Sequence, residues 1–222
     1  MSDDQFATLR LQMLREIALH MIFVSEEIGR ARLSDRVMAA MGKVPRHEFV
    51  PAPIRPYAYY DGPLPIGYDK TISQPFMAAL MTDVLDIDVA DTVLEVGTGL
   101  GYHAAVLTQL CARVFSVEIV EELAAQAESN LRRGNYDNVE IRIGDGSRGW
   151  PEHAPFDKII VAAGVELIPP MLLQQLKPGG KMVIPVGLED SQRLMVAEKD
   201  ANGRLSTIEL LAVRFALLET YG

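Results

Sequence analysis

The chain has 222 residues, 49% of them hydrophobic and 23% charged, a balance that excludes intrinsic disorder and fibrous repeats. Asp and Glu total 30 against 21 Lys and Arg, and the resulting charge of −9 disfavours general nucleic-acid binding, where a basic surface supplies most of the affinity. The length corresponds to one to two domains. No apolar run reaches the roughly 20 residues needed to span a bilayer, so no membrane partner is expected.

The acidic start, Met1-Ser2-Asp3-Asp4, lacks the basic-then-apolar pattern of a secretory signal, so a cytoplasmic location is the expectation. Phe6, Leu9, Met13, Ile17, Met21 and Val24 recur every three or four residues and predict an amphipathic helix. A shorter helix is signalled by Ser34 as cap, Val37, Met38 and Met41 as apolar face, and Gly42 as stop. Residues 43–76 are rich in Pro and Tyr, which predicts an ordered segment without regular structure. It reads either as a lid or binding loop, or as an arm that only wraps the core.

From residue 77 onward strand and helix signals alternate. Apolar strands are predicted at 92–96, 114–117, 139–143, 158–161 and 182–186, and helices at about 102–110, 121–131 and 170–176, the last stopped by Gly179-Gly180. Residues 194–197 and 208–215 read as two strands joined around Asn202-Gly203, a strong hairpin turn. The prediction is an α/β fold, a doubly wound and mostly parallel seven-stranded sheet with a C-terminal antiparallel hairpin. Cys111, the only cysteine, excludes a disulfide and a multi-cysteine zinc site and reads as a packed thiol. The four histidines lie far apart without ligand spacing, so no metal is expected.

The central motif is Glu95-Val96-Gly97-Thr98-Gly99-Leu100-Gly101-Tyr102, at the end of the first alternating strand. Glycines there permit a tight turn and close approach of a ligand to the backbone. The position completing a dinucleotide fingerprint is Tyr102, too bulky for that role, and no Lys-Ser/Thr follows to make a P-loop. Acids end three successive strands: Glu95, Glu118, and Asp145 in Gly144-Asp145-Gly146. An acid at 95 suits a cationic ligand, one at 118 can accept two ribose hydroxyls, and one at 145 is placed to meet an adenine amino group. Glycine turn and acids together resemble the cofactor site of class I S-adenosylmethionine-dependent methyltransferases, with Glu95, Gly97, Thr98, Gly99, Gly101, Glu118, Asp145 and Gly146 as the candidate binding residues.

Marks of other methyl acceptors are missing: Val161-Ala162-Ala163-Gly164 stands where an amine methylase carries Asn/Asp-Pro-Pro-Tyr, and Cys111 follows Leu110 rather than proline. A carboxylate acceptor needs neither device, being ionised at neutral pH. Tyr60-Asp61-Gly62-Pro63-Leu64-Pro65-Ile66-Gly67, Thr71-Ile72-Ser73-Gln74-Pro75, Val44-Pro45-Arg46-His47 and Gln175-Leu176-Lys177-Pro178-Gly179-Gly180 closely resemble protein-L-isoaspartate O-methyltransferases, in order, over about residues 20 to 215.

The resemblance implies methylation of the free α-carboxylate of L-isoaspartyl residues in damaged peptides and proteins, with S-adenosylmethionine as methyl donor. It implies Ser73 as the active-site serine, positioning the acceptor carboxylate. A simple cap ahead of Pro75 is the plainer role for that serine. Thr71 and Ile72 would present backbone groups to the substrate, and Val213, in the terminal strand Val213-Arg214-Phe215, would lie along it. It also implies a division into residues 1–76, helices and a substrate-side segment, and 77–222, the cofactor domain, packed as one unit. The alternatives are another carboxylate acceptor or a cofactor-binding module without catalysis, and the oligomeric state stays open. Three departures from the family pattern stand out: Asp69-Lys70 replace a common Gly-Gln, Gly164 a usual alanine, and Ala216-Leu217 a frequent Val-Pro. Lys70 either faces the acceptor carboxylate or pairs with Asp69 in water.

Overall fold

The computed structural model describes residues 1–221. Helix α1 (Asp3–Phe23) opens on a capping box in which Ser2 and Gln5 satisfy each other's backbone N–H groups. It buries Phe6, Met13, Ile17 and Met21, the face expected from their spacing. A single turn, α2 (Ser25–Ile28), ends at Gly29 with φ 71°, and α3 (Asp35–Lys43) is capped by Ser34.

The Pro/Tyr-rich segment departs from its expected lack of regular structure. It forms two short 3-10 helices, Arg46–Phe49 and Ala52–Tyr57, and an antiparallel hairpin of β1 (Leu64–Gly67) with β2 (Lys70–Ile72). The prolines fit because a 3-10 turn accepts their fixed φ at its start, and an isolated two-stranded ribbon leaves edges that need no N–H. Tyr68 and Asp69, both with φ 54°, make the two-residue turn. Helix α4 (Pro75–Val84) follows with Pro at its first position, and all ten of its residues are buried.

The remaining elements are β3 (Thr92–Val96), α5 (Tyr102–Leu107), β4 (Arg113–Glu118), α6 (Glu121–Arg133), β5 (Val139–Ile143), β6 (Phe156–Val161), α7 (Pro170–Gln175), β7 (Leu176–Leu188), β8 (Ser191–Lys199) and β9 (Leu205–Val213). They build one seven-stranded sheet in the order β5-β4-β3-β6-β7-β8-β9, parallel through β7 and antiparallel thereafter. Several boundaries differ from expectation, two of them with a clear cause. Gly179-Gly180 lies inside β7, where the register against β6 shifts and Gly179 takes φ 82°, so the pair bends the strand as a bulge without ending it. The last strand stops at Val213, because beyond it the side-chain amide of Gln192 takes both backbone groups of Phe215 in place of a ladder.

Central strands are buried on both faces, which is why they read as unbroken apolar runs. Val93, Val114, Ile160 and Val183 join the N-terminal helices, α4 and α5 in one core; Leu94, Phe115, Ile159 and Met182 join α7 in the other. Cys111 is buried and unbridged, and burial pushes its thiol up to about 12, as befits a packed side chain.

His103, on α5, is buried with Nε2 2.8 Å from the Thr82 hydroxyl, and burial lowers its pKa to about 4. The fold therefore holds it neutral, while the unfolded chain protonates it near the ordinary value of 6.5. Stability from this residue is complete above that value and is lost as pH falls towards about 4, at roughly 1.4 kcal/mol per pH unit. His103→Gln, which cannot titrate, should show a flatter decline of the urea midpoint over that range than the parent chain. Parallel curves would show that His103 does not drive the acid sensitivity.

Candidate active site

The strand order reverses direction at β3, between β4 and β6, and open α/β sheets bind ligands in the crevice at such a point. There a cavity of about 530 Å³ opens, lined by Gly97, Gly99, Glu118, Gly146 and Ala162 of the sheet's edge and turns and by Thr71, Ser73 and Val213. The glycine turn has φ 95° at Gly97 and 56° at Gly99, backbone that other residues rarely adopt. At Gly101 a Cβ would come within 3.2 Å of Leu131, so the third glycine lets α6 pack directly on the turn. Tyr102 is buried away from the crevice, with its ring under the Arg46 guanidinium at 4.7 Å.

Glu118 fixes the turn. Its carboxylate accepts the Gly99 N–H at 2.7 Å and the Val120 N–H at 3.0 Å while the residue lines the cavity. An ionised carboxylate offers about four acceptor positions, so two remain for a ligand's hydroxyls.

The other two acids depart from expectation. Glu95 is fully buried behind the turn and lines neither the main cavity nor the smaller one beneath it. Burial pushes its carboxyl up to about 8, against the pull of the Ser116 hydroxyl bonded to it, and the Glu118 charge adds to the rise. Burial thus favours its neutral form, and it lines neither cavity where a cation could meet it. Asp145 is also off the lining: one oxygen accepts the Ser147 N–H and hydroxyl at 2.9 and 2.7 Å, the other the Tyr221 N–H at 3.3 Å. Gly146 beside it does face the cavity, and a Cβ there would strike Val96 at 2.3 Å. Thr98 lines the smaller cavity with Ile72, and Gly101 lines neither.

β2 delivers Thr71 to the main cavity and Ile72 to the smaller one only, and the chain turns at Ser73 into α4. Gln74, without a side-chain capping bond, is the N-cap of α4, so Ser73 is not the cap ahead of Pro75. Among the described residues the Ser73 hydroxyl has no hydrogen-bonding partner; its carbonyl accepts from Arg46 Nη2 at 2.7 Å. Asp61 does the capping from a distance: Oδ1 accepts the Phe76 N–H at 3.0 Å, Oδ2 accepts Gln74 Nε2 at 3.2 Å, and His20 of α1 pairs with it. Asp61 and His20 have no role in the sequence reading, although Asp61 stands inside a quoted motif.

The C-terminal stretch, expected to continue as a strand to Phe215, instead leaves the sheet after Val213. Residues 214–219 run across the cavity and supply part of its wall. Gly164 bonds them twice, N–H to Ala216 carbonyl and carbonyl to Leu218 N–H, each 2.8 Å. Lys70 pairs with Glu219 of this stretch rather than with its neighbour Asp69. The family departures at 70, 164 and 216–217 thus meet at one place.

A switch-point crevice entered by a positive-φ glycine turn, an acid of the adjacent strand beneath it, Tyr102 in place of a dinucleotide fingerprint's last glycine and a sheet ending in an antiparallel hairpin together are the arrangement of class I S-adenosylmethionine-dependent methyltransferases. The residues fit that group: side chains are excluded at 97, 99 and 146, where a ligand would lie, and the Glu118 carboxylate keeps acceptor capacity towards the cavity. A family model described as protein-L-isoaspartate (D-aspartate) O-methyltransferase matches residues 20–220, and the chain belongs to that family. Relatives named protein-L-isoaspartate O-methyltransferase include one from Polaromonas sp. strain JS666, 58% identical over 99% of this chain and 93% of its own. Another, from Syntrophobacter fumaroxidans, is 53% identical over 98% of this chain and 88% of its own. A solved structure bearing the same name superposes with TM-score 0.80 at 30% identity, over 94% of this chain and 65% of that longer one. A Plasmodium falciparum structure, solved with S-adenosyl-L-homocysteine, shares the fold at TM-score 0.76 and 24% identity, over 92% of this chain and 97% of that one.

An alanine Cβ at 164 would sit 2.4 Å from Gln192 Nε2, whose amide brackets Phe215. The glutamine end is flexible and would move, releasing two hydrogen bonds worth roughly 1 kcal/mol each. Gly164→Ala should therefore speed amide exchange at residues 215–218 while the sheet's protection stays constant. Unchanged exchange there would show that the bracket does not hold the tail.

Proposed function

We propose that Ser73 and the glycine turn, which line one cavity, carry out methyl transfer from S-adenosylmethionine to the free α-carboxylate of L-isoaspartyl residues in peptides and proteins. That shared lining is the observation on which the reading rests. The bound cofactor supplies a methyl group on a cationic sulfur, which a carboxylate oxygen can attack directly. The acceptor is ionised at neutral pH, so no base is required, and the protein's task is alignment. The Ser73 hydroxyl donates to one carboxylate oxygen and leaves the other aimed at the methyl group. Backbone groups of Thr71 and Ile72 hold the acceptor residue, and Val213, at the end of β9, guides the peptide. Gly97, Thr98, Gly99, Gly101 and Gly146 form and back the cofactor's cradle, and Glu118 takes its ribose. Glu95 and Asp145 support the cradle without touching the ligand, through Ser116 and through the tail.

The methyl ester then changes what the peptide can do. The neighbouring backbone nitrogen attacks the ester carbonyl and methanol leaves, giving a succinimide whose hydrolysis returns part of the material to normal aspartate. Nothing in this sequence requires nucleic acid or metal. Among the described residues no helix is long and apolar enough to cross a membrane.

Methyl incorporation into an isoaspartyl peptide, compared with its aspartyl twin, tests the substrate. Labelling of the first alone is expected; equal labelling, or none, removes the reading. Ser73→Ala should lower turnover at least tenfold with cofactor affinity unchanged, because it removes only an acceptor contact. Glu118→Ala should do the reverse, weakening cofactor binding by roughly 1–3 kcal/mol. Calorimetry with S-adenosylhomocysteine separates the two, and equal affinity losses in both variants would refute the division of roles.

A further inference from the structure

Beneath the main cavity lies a second, of about 50 Å³, between the glycine turn and the acceptor segment; Arg46, Thr71, Ser73, Gly97 and Thr98 are in its wall. Arg46 is entirely buried. Its Nε donates to the Ala58 carbonyl at 2.8 Å, and its Nη2 donates to the carbonyl of Ser73 at 2.7 Å. Among the described residues it makes no ion pair, and its Nη1 has no hydrogen-bonding partner.

Two carbonyls could be held by a neutral donor. A guanidinium leaves a nitrogen and a positive charge over; the Tyr102 ring at 4.7 Å offsets part of that charge, but among the described residues no carboxylate pairs with it, and an unpaired buried charge is costly. Burial lowers the pKa of Arg46, so the fold works against that charge when no anion is present. The small cavity has room for a carboxylate group.

We infer that this cavity is a carboxylate subsite, in which Arg46 Nη1 donates to a carboxylate oxygen of a molecule bound in the main cavity. The inference rests on the methyl-transfer reading of that cavity. Two molecules there carry a carboxylate: the cofactor, at its amino-acid end, and the isoaspartyl acceptor. The glycine turn forms one side of the subsite and the Ser73 segment the other, so either can reach it. The charge–charge hydrogen bond would supply what the buried guanidinium lacks.

Arg46→Gln removes the charge and keeps a polar end; Arg46→Lys restores the charge without the fork. If the cofactor fills the subsite, Arg46→Gln should weaken S-adenosylhomocysteine at least tenfold and leave 5′-methylthioadenosine, which lacks the amino-acid end, unchanged. If the acceptor fills it, KM for the isoaspartyl peptide should rise at least tenfold with both cofactor affinities unmoved. In either case Arg46→Lys should recover part of the loss. Equal weakening of both nucleosides, or no change in any of the three constants, would overturn the subsite.

A measurement on the unaltered protein guards against a variant that fails to fold. Formate should raise its melting temperature saturably, with formamide and matched sodium chloride as blanks. Formate no better than these blanks counts against the subsite. Both binding readouts need no turnover, so inactivity on isoaspartyl peptides would sink the assigned reaction while the subsite is still decided by them.

Discussion

The hydrogen bond from the Gly99 N–H to the Glu118 carboxylate is the fixed point of the site. A turn made of glycines has no side chains with which to hold its own shape, and its positive φ values are open to the unfolded chain as well. The strand before it ends at Val96, and the helix after it starts at Tyr102. Between them something must take the exposed amides, and the carboxylate arriving at the end of β4 does so. Register in the parallel sheet, Val96 against Val117, brings Glu118 to that height. The sheet thus sets the turn, and the turn sets both the start of α5 and the floor of the cavity.

The wall that carries Ser73 is held by a different means. Residues 58–76 have few ladder hydrogen bonds of their own, yet each buried backbone group must find a partner. Two charged side chains supply them. Arg46 reaches the carbonyls of Ala58 and Ser73, and Asp61 reaches the N–H of Phe76 and the side chain of Gln74. Ser73 therefore lies between a cationic anchor on its carbonyl and an anionic anchor at the start of α4. A hydroxyl in an otherwise irregular segment is thereby given a defined position, as alignment of an acceptor oxygen demands.

Sheet strands and their order of appearance were legible because burial on both faces leaves an unbroken apolar run, and glycines and acids mark the ends. What the sequence could not convey is which partner each polar group would choose. Glu95, Glu118 and Asp145 look alike as acids ending strands. Only Glu118 turns its carboxylate to the cavity; Glu95 is enclosed with Ser116, and Asp145 is taken up by Ser147 and Tyr221. The Tyr221 partner is 76 residues away, and such separations carry no local pattern. Prolines misled in the same way over residues 43–76: they exclude an α-helix interior and a central strand, but not 3-10 turns or an isolated hairpin. Arg46 stood in a recognisable motif, yet arginine is so seldom buried that nothing in the string pointed to the interior.

The walls of the cavity differ in what holds them. The glycine turn and β2–α4 are tied to buried carboxylates, a buried guanidinium and two hydrophobic cores. The C-terminal wall has two backbone bonds to Gly164, the amide bracket of Gln192, and the exposed Lys70–Glu219 pair. Neutral hydrogen bonds of this kind contribute about 0.5–1.5 kcal/mol each, and an exposed ion pair about 0–1. Phe215 and Leu218 add partial packing on the two cores and the Tyr221 N–H reaches Asp145, but the residues of this wall are half-buried or exposed, whereas those of the other two are largely enclosed. The tail is accordingly the side of the cavity that yields at least cost. Glycine at 164 leaves room for the Gln192 amide, and the amide compensates Phe215 for the end of its ladder. Substitutions that would look neutral one at a time act here on a single element, the stretch 214–219 of the cavity wall.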